Sequence, residues 1–103
     1  MIHFAFYVPE ENLEEVKAAV FAAGAGKIGN YDCCCFETRG QGQFRPLEGS
    51  KPYLGTQELL ERVEEIKVEM VVETESIKAV IDALKKAHPY ETPAYYVIET
   101  LGY

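Results

Sequence analysis

The sequence has no tryptophan and only two histidines, and its three cysteines are consecutive. Three adjacent cysteines are too few and too close together for a disulfide framework, so we expect a reducing, cytoplasmic location. Positive charge is also scarce, because 10 lysines and arginines stand against 17 aspartates and glutamates, for a formal net charge of −7. This balance excludes a fold-wide basic surface for nucleic acid and disfavours binding to anionic membranes.

Long apolar runs are absent as well. No segment reaches the roughly 20 residues that a membrane-spanning helix needs, and the first residues lack the basic start of a signal peptide. What is present is ordinary for a folded domain: hydrophobic residues make up 48% of the 103 positions, enough to exclude a disordered chain. The length predicts a single domain over residues 1–103.

Hydrophobic periodicity predicts four strands and two helices. The predicted order is strand 2–8, helix 11–23, strand 31–38, strand 63–72, helix 75–87 and strand 94–101. A loop rich in glycine and proline is expected at about 39–55, followed by a helical turn at 57–62. This β-α-β-β-α-β order predicts an α+β, ferredoxin-like fold, with a four-stranded antiparallel sheet and two helices on one face. The uncovered face predicts a homo-oligomer, since monomers seldom expose a large apolar surface.

Two glycine-containing segments are candidate anion sites. Gly26 and Gly29 lie in one segment, and Gly40, Gly42 and Arg45 lie in the other. Backbone N–H groups of such segments can surround an anionic ligand. Neither segment has the sequence of a P-loop or of a dinucleotide-binding turn, and turns that need glycine are the alternative interpretation.

The cysteine run is a candidate soft-metal site. On a strand, Cys33 and Cys35 would share a face at a spacing of about 7 Å, where two thiolates can bind copper or zinc. The alternative is that the cysteines are small packing residues.

An imidazole, a phenol and a carboxylate follow the second helix in His88-Pro89-Tyr90-Glu91. His88 and Glu91 are candidate metal ligands, and Tyr90 is a candidate group for orienting them or contacting a ligand. The alternative is a helix-ending turn in which His88 continues the apolar stripe of the helix. The alternating glutamates of strand 63–72 are interpreted as a solvated or interface face.

The ordered motifs resemble the domain inserted in many NIF-three-like (YqfO-type) proteins, and they cover essentially the whole chain. They are Gly24-Ala-Gly-Lys-Ile-Gly-Asn-Tyr31, Cys34-x-Phe36, Gly40-x-Gly42-x-Phe44-x-Pro46, Gly49-x-x-Pro52-x-x-Gly55, Val63-Glu-Glu-Ile-Lys-Val-Glu69 and His88-Pro-Tyr-Glu-x-Pro-Ala94. The last motif is also similar to one in the CutA divalent-cation tolerance proteins. The resemblance implies a CutA/PII-like fold, which is typically trimeric, and a divalent or soft metal such as copper or zinc as a candidate ligand.

The sequence therefore predicts a small cytoplasmic oligomer that binds a ligand or a divalent metal in a regulatory or homeostatic role. Catalysis is not expected, because the resemblance covers only the inserted domain and not the metal-bearing halves of the larger proteins. The alternative function is a structural module that docks a partner protein through loop 39–55. An enzyme acting on phosphoesters or nucleotides is a third possibility, and it would need a base and an electrophile in one cleft.

Overall fold

The computed structural model describes residues 1–103 as one four-stranded antiparallel sheet with two helices packed on one face. The strands are β1 (Ile2–Pro9), β2 (Phe36–Phe44), β3 (Glu61–Val72) and β4 (Tyr95–Glu99), and the helices are α1 (Leu13–Ala22) and α2 (Ile77–Ala87). The spatial order is β2-β3-β1-β4. Each helix is preceded by one turn of 3-10 helix, and neither helix has the length and apolar character required to cross a membrane. The predicted ferredoxin-like fold is confirmed.

Strand alternation places the core between the sheet and the helices. Phe4 and Phe6 of β1 and Val68 of β3 are fully buried, and they pack with Val16 of α1 and Leu84 of α2. The helix-facing side of β2 is polar, because it extends past the core. Two ion pairs connect β2 to the first helical segment there: Lys17 in the middle of α1 with Glu37 at 2.6 Å, and Arg39 with Glu10 of the preceding 3-10 turn at 2.6 Å.

The opposite side of the sheet, which we call the bare face, carries no helix. Strand register places the following residues on it: Phe36, Gly40, Gly42 and Phe44 of β2; Val63, Glu65, Lys67 and Glu69 of β3; His3 and Tyr7 of β1; Tyr96 and Ile98 of β4. Three large apolar side chains on this face, Phe36, Tyr96 and Ile98, are 69%, 55% and 53% exposed.

The second strand lies later in the chain than predicted. It spans Phe36–Phe44 rather than 31–38, so Gly40 and Gly42 belong to a strand and the irregular connection covers 45–60 rather than 39–55. Cys33 has a left-handed backbone with φ of 55°, which interrupts extended structure before β2. The N–H of Cys34 is instead bonded to the carbonyl of Gly26 at 2.9 Å. The predicted helical turn at 57–62 is also absent, because β3 already begins at Glu61.

Residues 1 and 100 are neighbours at the open end of the sheet. The backbone N–H and the hydroxyl of Thr100 both donate to the carbonyl of Met1, at 3.1 and 2.7 Å. These hydrogen bonds therefore hold the start of β1 against the end of β4.

Candidate functional site

A cavity of about 350 Å³ opens at one end of the bare face. Its wall combines side chains from three strands with two irregular segments, residues 46–54 and 90–94. The residues that matter most to its chemistry are Tyr7, Gly42, Phe44, Tyr53, Glu65 and Tyr90. The backbone N–H of Lys51 donates to the Glu91 carboxylate at 3.2 Å, which ties the two irregular segments together over the sheet.

Aromatic rings form much of the wall. The ring centroids of Phe44 and Tyr53 each lie 6.2 Å from the centroid of Tyr90, on tilted planes. These separations fall in the range in which aromatic pairs attract one another. Tyr90 is thus the central ring of the wall, and Tyr7 lines the cavity from β1.

The Tyr90 hydroxyl is a buried polar group. Its polar neighbour is the Glu65 carboxylate, which it meets in imperfect hydrogen-bond geometry. Burial, and after it the nearby Glu65 carboxylate, raises the pKa of Tyr90 well above its usual range, so the phenol stays neutral and keeps its proton.

His88 supports the central ring from behind. Its ring nitrogens are both engaged: Nε2 lies 2.6 Å from the Tyr7 carbonyl oxygen, and Nδ1 lies 3.1 Å from the Tyr90 backbone nitrogen. A carbonyl only accepts and an N–H only donates, so the partners assign the neutral tautomer with hydrogen on Nε2. Burial lowers the pKa of His88 and outweighs the opposing effects of the Tyr7 carbonyl and Glu65. The imidazole ring centroid lies 4.8 Å from that of Tyr90.

Gly42 leaves room for the Glu65 side chain. A Cβ atom at Gly42 would overlap the Glu65 carboxylate, so only glycine at this position lets the carboxylate lie across β2. Glu65 makes no salt bridge, whereas Glu69 on the same strand and face lies 3.2 Å from His3 and 3.6 Å from Lys67. The cavity is therefore acidic, with Glu65 and Glu91 in its wall and no lysine, arginine or histidine there.

The structure separates the predicted metal ligands. His88 and Glu91 lie at the Tyr7 end of β1, whereas Cys35 borders a different concavity that also contains His3. Four strand residues separate these ends, a distance of about 13 Å. No group of three or more histidine, cysteine, aspartate or glutamate side chains is arranged to hold a metal ion. A metal site built from His88, Glu91, Cys33 and Cys35 stays a prediction, and it would need ligands from outside this protomer.

The same-face geometry expected for Cys33 and Cys35 is wrong, because neither residue lies in a strand. Cys33 is exposed, and Cys35 is half-buried in the turn before β2.

The predicted glycine sites are also dispersed. The N–H of Gly26 already donates to the Val71 carbonyl at 2.8 Å, and a Cβ there would overlap the Phe21 ring. Gly29 lies in an exposed turn with φ of 56°. Gly40 is an exposed β2 residue paired with Glu65, and Arg45 is exposed just after β2. Among the predicted ligand-contacting residues, only Tyr90 and Gly42 line the cavity, and Glu91 lines it as well.

Sequence reasoning missed four wall residues: Tyr7, Phe44, Tyr53 and Glu65. Period-two alternation does place Tyr7 and Glu65 on one face of the sheet, which is the available signal. The approach of Tyr53 depends on how the irregular connection folds back, and no local pattern encodes that.

The architecture defines the class of protein. The chain matches the PII-like protein CutA from Nostoc sp. PCC 7120 with a TM-score of 0.69 and 19% identity, over 97% of this chain and 81% of that one. It matches the periplasmic divalent cation tolerance protein CutA from Archaeoglobus fulgidus with a TM-score of 0.68 and 19% identity, over 97% and 84%. The protein therefore has the CutA/PII-like, ferredoxin-like fold.

Sequence similarity gives the more particular relationship. The chain is 50% identical over 91 residues to the Bacillus subtilis protein named GTP cyclohydrolase 1 type 2 homolog, covering 88% of this chain and 24% of that protein. The Mycobacterium tuberculosis protein of the same name is 46% identical over 92 residues, covering 89% and 24%. A Bacillus cereus protein related to NIF3 superposes with a TM-score of 0.81 at 41% identity, over 94% of this chain and 24% of that one.

The chain is thus homologous to one CutA/PII-like segment of the NIF3-related proteins, and it spans about a quarter of the length of the curated relatives it matches. No family model matches the chain.

Proposed function

We propose that this chain is a ligand-binding module with a regulatory role, and that its ligand occupies the cavity around Tyr90. The composition of the wall carries this proposal, because an open cavity lined by the rings of Tyr7, Phe44, Tyr53 and Tyr90 with the polar Glu65 carboxylate among them is typical of small-molecule sites. The cavity volume of about 350 Å³ lies within the range of small-molecule sites. The cavity is therefore large enough to hold a small molecule.

Binding fits the cavity better than catalysis does. Acid–base catalysis needs a base and an electrophilic group in one cleft. Both nitrogens of His88 are already engaged, and the carboxylates of Glu65 and Glu91 have no lysine, arginine or histidine beside them in the wall. Cys34 and Cys35 border a different concavity, so no thiol stands ready as a nucleophile in this one. The cyclohydrolase in the relatives' names is accordingly not proposed for this chain.

We also propose a cytoplasmic homo-oligomer, with a trimer expected from the CutA/PII-like resemblance. The exposed Phe36, Tyr96 and Ile98 on the bare face support self-association, because burying them removes apolar surface from water. The three cysteines are free thiols, which fits a reducing compartment. Native mass spectrometry across protein concentrations measures the assembly, and a monomer at every concentration would contradict it.

The ligand proposal is tested by titrating isotopically labelled protein with a panel of small neutral, cationic and anionic fragments, followed by NMR. At least one fragment is expected to shift the signals of Tyr7, Gly42 and Tyr90 together. Tyr90→Leu should weaken that fragment several-fold, since it removes the central ring of the wall. Tyr31→Leu is the matched control, because Tyr31 is 75% exposed in a distant turn.

Fragments that shift only residues outside the cavity, or that bind both variants equally, would contradict the assignment. Equal binding by Tyr90→Leu would show that the Tyr90 ring has no part in recognition.

A second function, docking of a partner protein, is favoured by one observation. Leu47, Leu59 and Leu60 in the connection 45–60 are 56%, 61% and 51% exposed. A partner protein that covered them would remove their apolar surface from water. The two functions differ in a simple respect: a ligand-binding module responds to fragments as an isolated chain, whereas a docking module does not.

A further inference from the structure

The charge of the Tyr90 cavity restricts which ligand it takes. Its wall contains the Glu65 and Glu91 carboxylates and no basic side chain, and the chain as a whole has a net charge of −7. Phosphates and nucleotides are recognised by arginine, lysine or clustered backbone N–H groups. The backbone N–H of Lys51 lies at the edge of the cavity, and it is already occupied by its hydrogen bond to the Glu91 carboxylate. No basic side chain of the wall would therefore offset the charge of an anion bound here.

Glu65 lacks the counter-charge that its neighbour has. Glu69 lies four residues further along β3 and forms salt bridges with His3 and Lys67, whereas Glu65 has no salt-bridge partner. Gly42 removes the side chain that would otherwise block this carboxylate from lying across β2. The chain thus holds one negative charge, partly shielded from water, beside an open cavity. A charge in that position is most stable when a cation is next to it.

The aromatic rings complete the site. The face of a phenol or phenyl ring is electronegative, and it attracts an ammonium group placed within about 6 Å of the ring centroid. Phe44 and Tyr53 each pack against Tyr90 with ring centroids 6.2 Å apart, so the three rings form one continuous aromatic surface that a group in the cavity contacts. A hydrated divalent metal fits this wall less well, because it takes about six oxygen ligands and the rings supply none.

We propose that the ligand of this cavity is a small organic cation, whose alkylammonium group packs against the rings of Tyr7, Phe44, Tyr53 and Tyr90 with the Glu65 carboxylate as its counter-charge. The proposal rests on the function proposed above, and it names the chemical class of the ligand.

The test compares two probes of nearly identical shape. Choline carries a quaternary ammonium, and 3,3-dimethylbutan-1-ol is its neutral counterpart. Titration of the full chain, followed by NMR, should show choline binding at least about tenfold more tightly, a ratio in the range of a cation–π contact and a nearby carboxylate. Glu65→Gln keeps the side-chain shape and removes the charge. It should lower choline affinity about tenfold and leave the neutral probe unchanged.

Glu64→Gln is the matched control, since Glu64 is the preceding β3 residue and its side chain points to the other face of the sheet. It should alter neither probe. Adenosine triphosphate and inorganic phosphate should not compete with choline.

Equal affinity for the two probes, tighter binding of the neutral probe, or competition by phosphate would overturn the cationic assignment. Equal loss of choline binding in Glu64→Gln and Glu65→Gln would do the same. Absence of choline binding while neutral or anionic fragments occupy the cavity would reject the cation and retain the ligand-binding function. Failure of every fragment would reject both.

Discussion

Replacing His88 by alanine should destabilise the protein strongly, and the chain supplies its own control in its only other histidine, His3. His88 is 5% exposed and joins three parts of the fold: the end of α2, the β1 carbonyl of Tyr7 and the turn at Tyr90. His3 is a partly exposed bare-face residue whose charge partner is Glu69 at 3.2 Å. The two positions therefore separate an internal hydrogen-bonding role from a surface one.

The magnitude follows from the two hydrogen bonds. Each partner left unpaired in the interior costs about 1–3 kcal/mol, so His88→Ala should lose about 2–6 kcal/mol. A domain of this length has about 5–15 kcal/mol of total stability, so the loss is a large fraction of it. His3→Ala should lose no more than about 1 kcal/mol, as is typical of exposed ion pairs.

Urea unfolding followed by far-ultraviolet circular dichroism measures both variants, and unchanged slopes would show that the two-state comparison holds. Losses for His88→Ala and His3→Ala that agree within about 1 kcal/mol would refute the reasoning. They would mean that the bonds of His88 contribute nothing in solution, and that its ring is available for another role such as metal binding.

Four shorter predictions concern other residues. Because the folded-state pKa of His88 is depressed below 6.5, stability should fall as the pH drops from 6.5 towards that lower pKa, and urea unfolding of His88→Gln should lack this decrease. Gly42→Ala should displace only the flexible end of the Glu65 side chain, so it should change the free energy of unfolding measured with urea by less than about 1 kcal/mol. Leu84→Ala, at a fully buried position, should cost about 2–5 kcal/mol in the same assay. Iodoacetamide should alkylate exposed Cys33 before Cys35, since burial raises the pKa of Cys35; mass spectrometry showing Cys35 first would contradict this.

Local patterns were sufficient for the parts of the fold that bury one clean face. The alternation of Ile66, Val68 and Met70 located β3, and the spacing of Leu13, Val16 and Val20 located α1. These residues are placed by the core, so their periodicity is visible in the sequence.

β2 was misplaced because its sequence signals oppose its structure. Gly40 and Gly42 have low strand propensity and indicate a loop, yet β2 is an edge strand whose backbone is held by pairing with β3. The cysteines before it have the character of strand residues, but the left-handed backbone at Cys33 ends any such strand.

The candidate site was predictable only in part, for a related reason. The His88-to-Glu91 motif is local and was visible, but the partners that give it meaning come from far along the chain. His88 is bonded to Tyr7, 81 residues away, and Glu91 to Lys51, 40 residues away. The neutral state of His88 depends on those contacts, so the sequence left metal ligand and structural histidine as open alternatives.

The hydrogen bonds between Thr100 and Met1 have a consequence for the insertion of such a fold into a longer protein. Because residue 1 precedes β1 and residue 100 follows the neighbouring strand β4, the two points at which the chain enters and leaves the sheet are separated by little more than one strand spacing, about 5 Å. A domain whose entry and exit points are this close can be inserted into a surface loop of a longer protein, and the fold on either side of that loop is then almost unchanged. The short distance between the two points fits the arrangement in the NIF3-related relatives, in which a homologous segment makes up about a quarter of a longer chain.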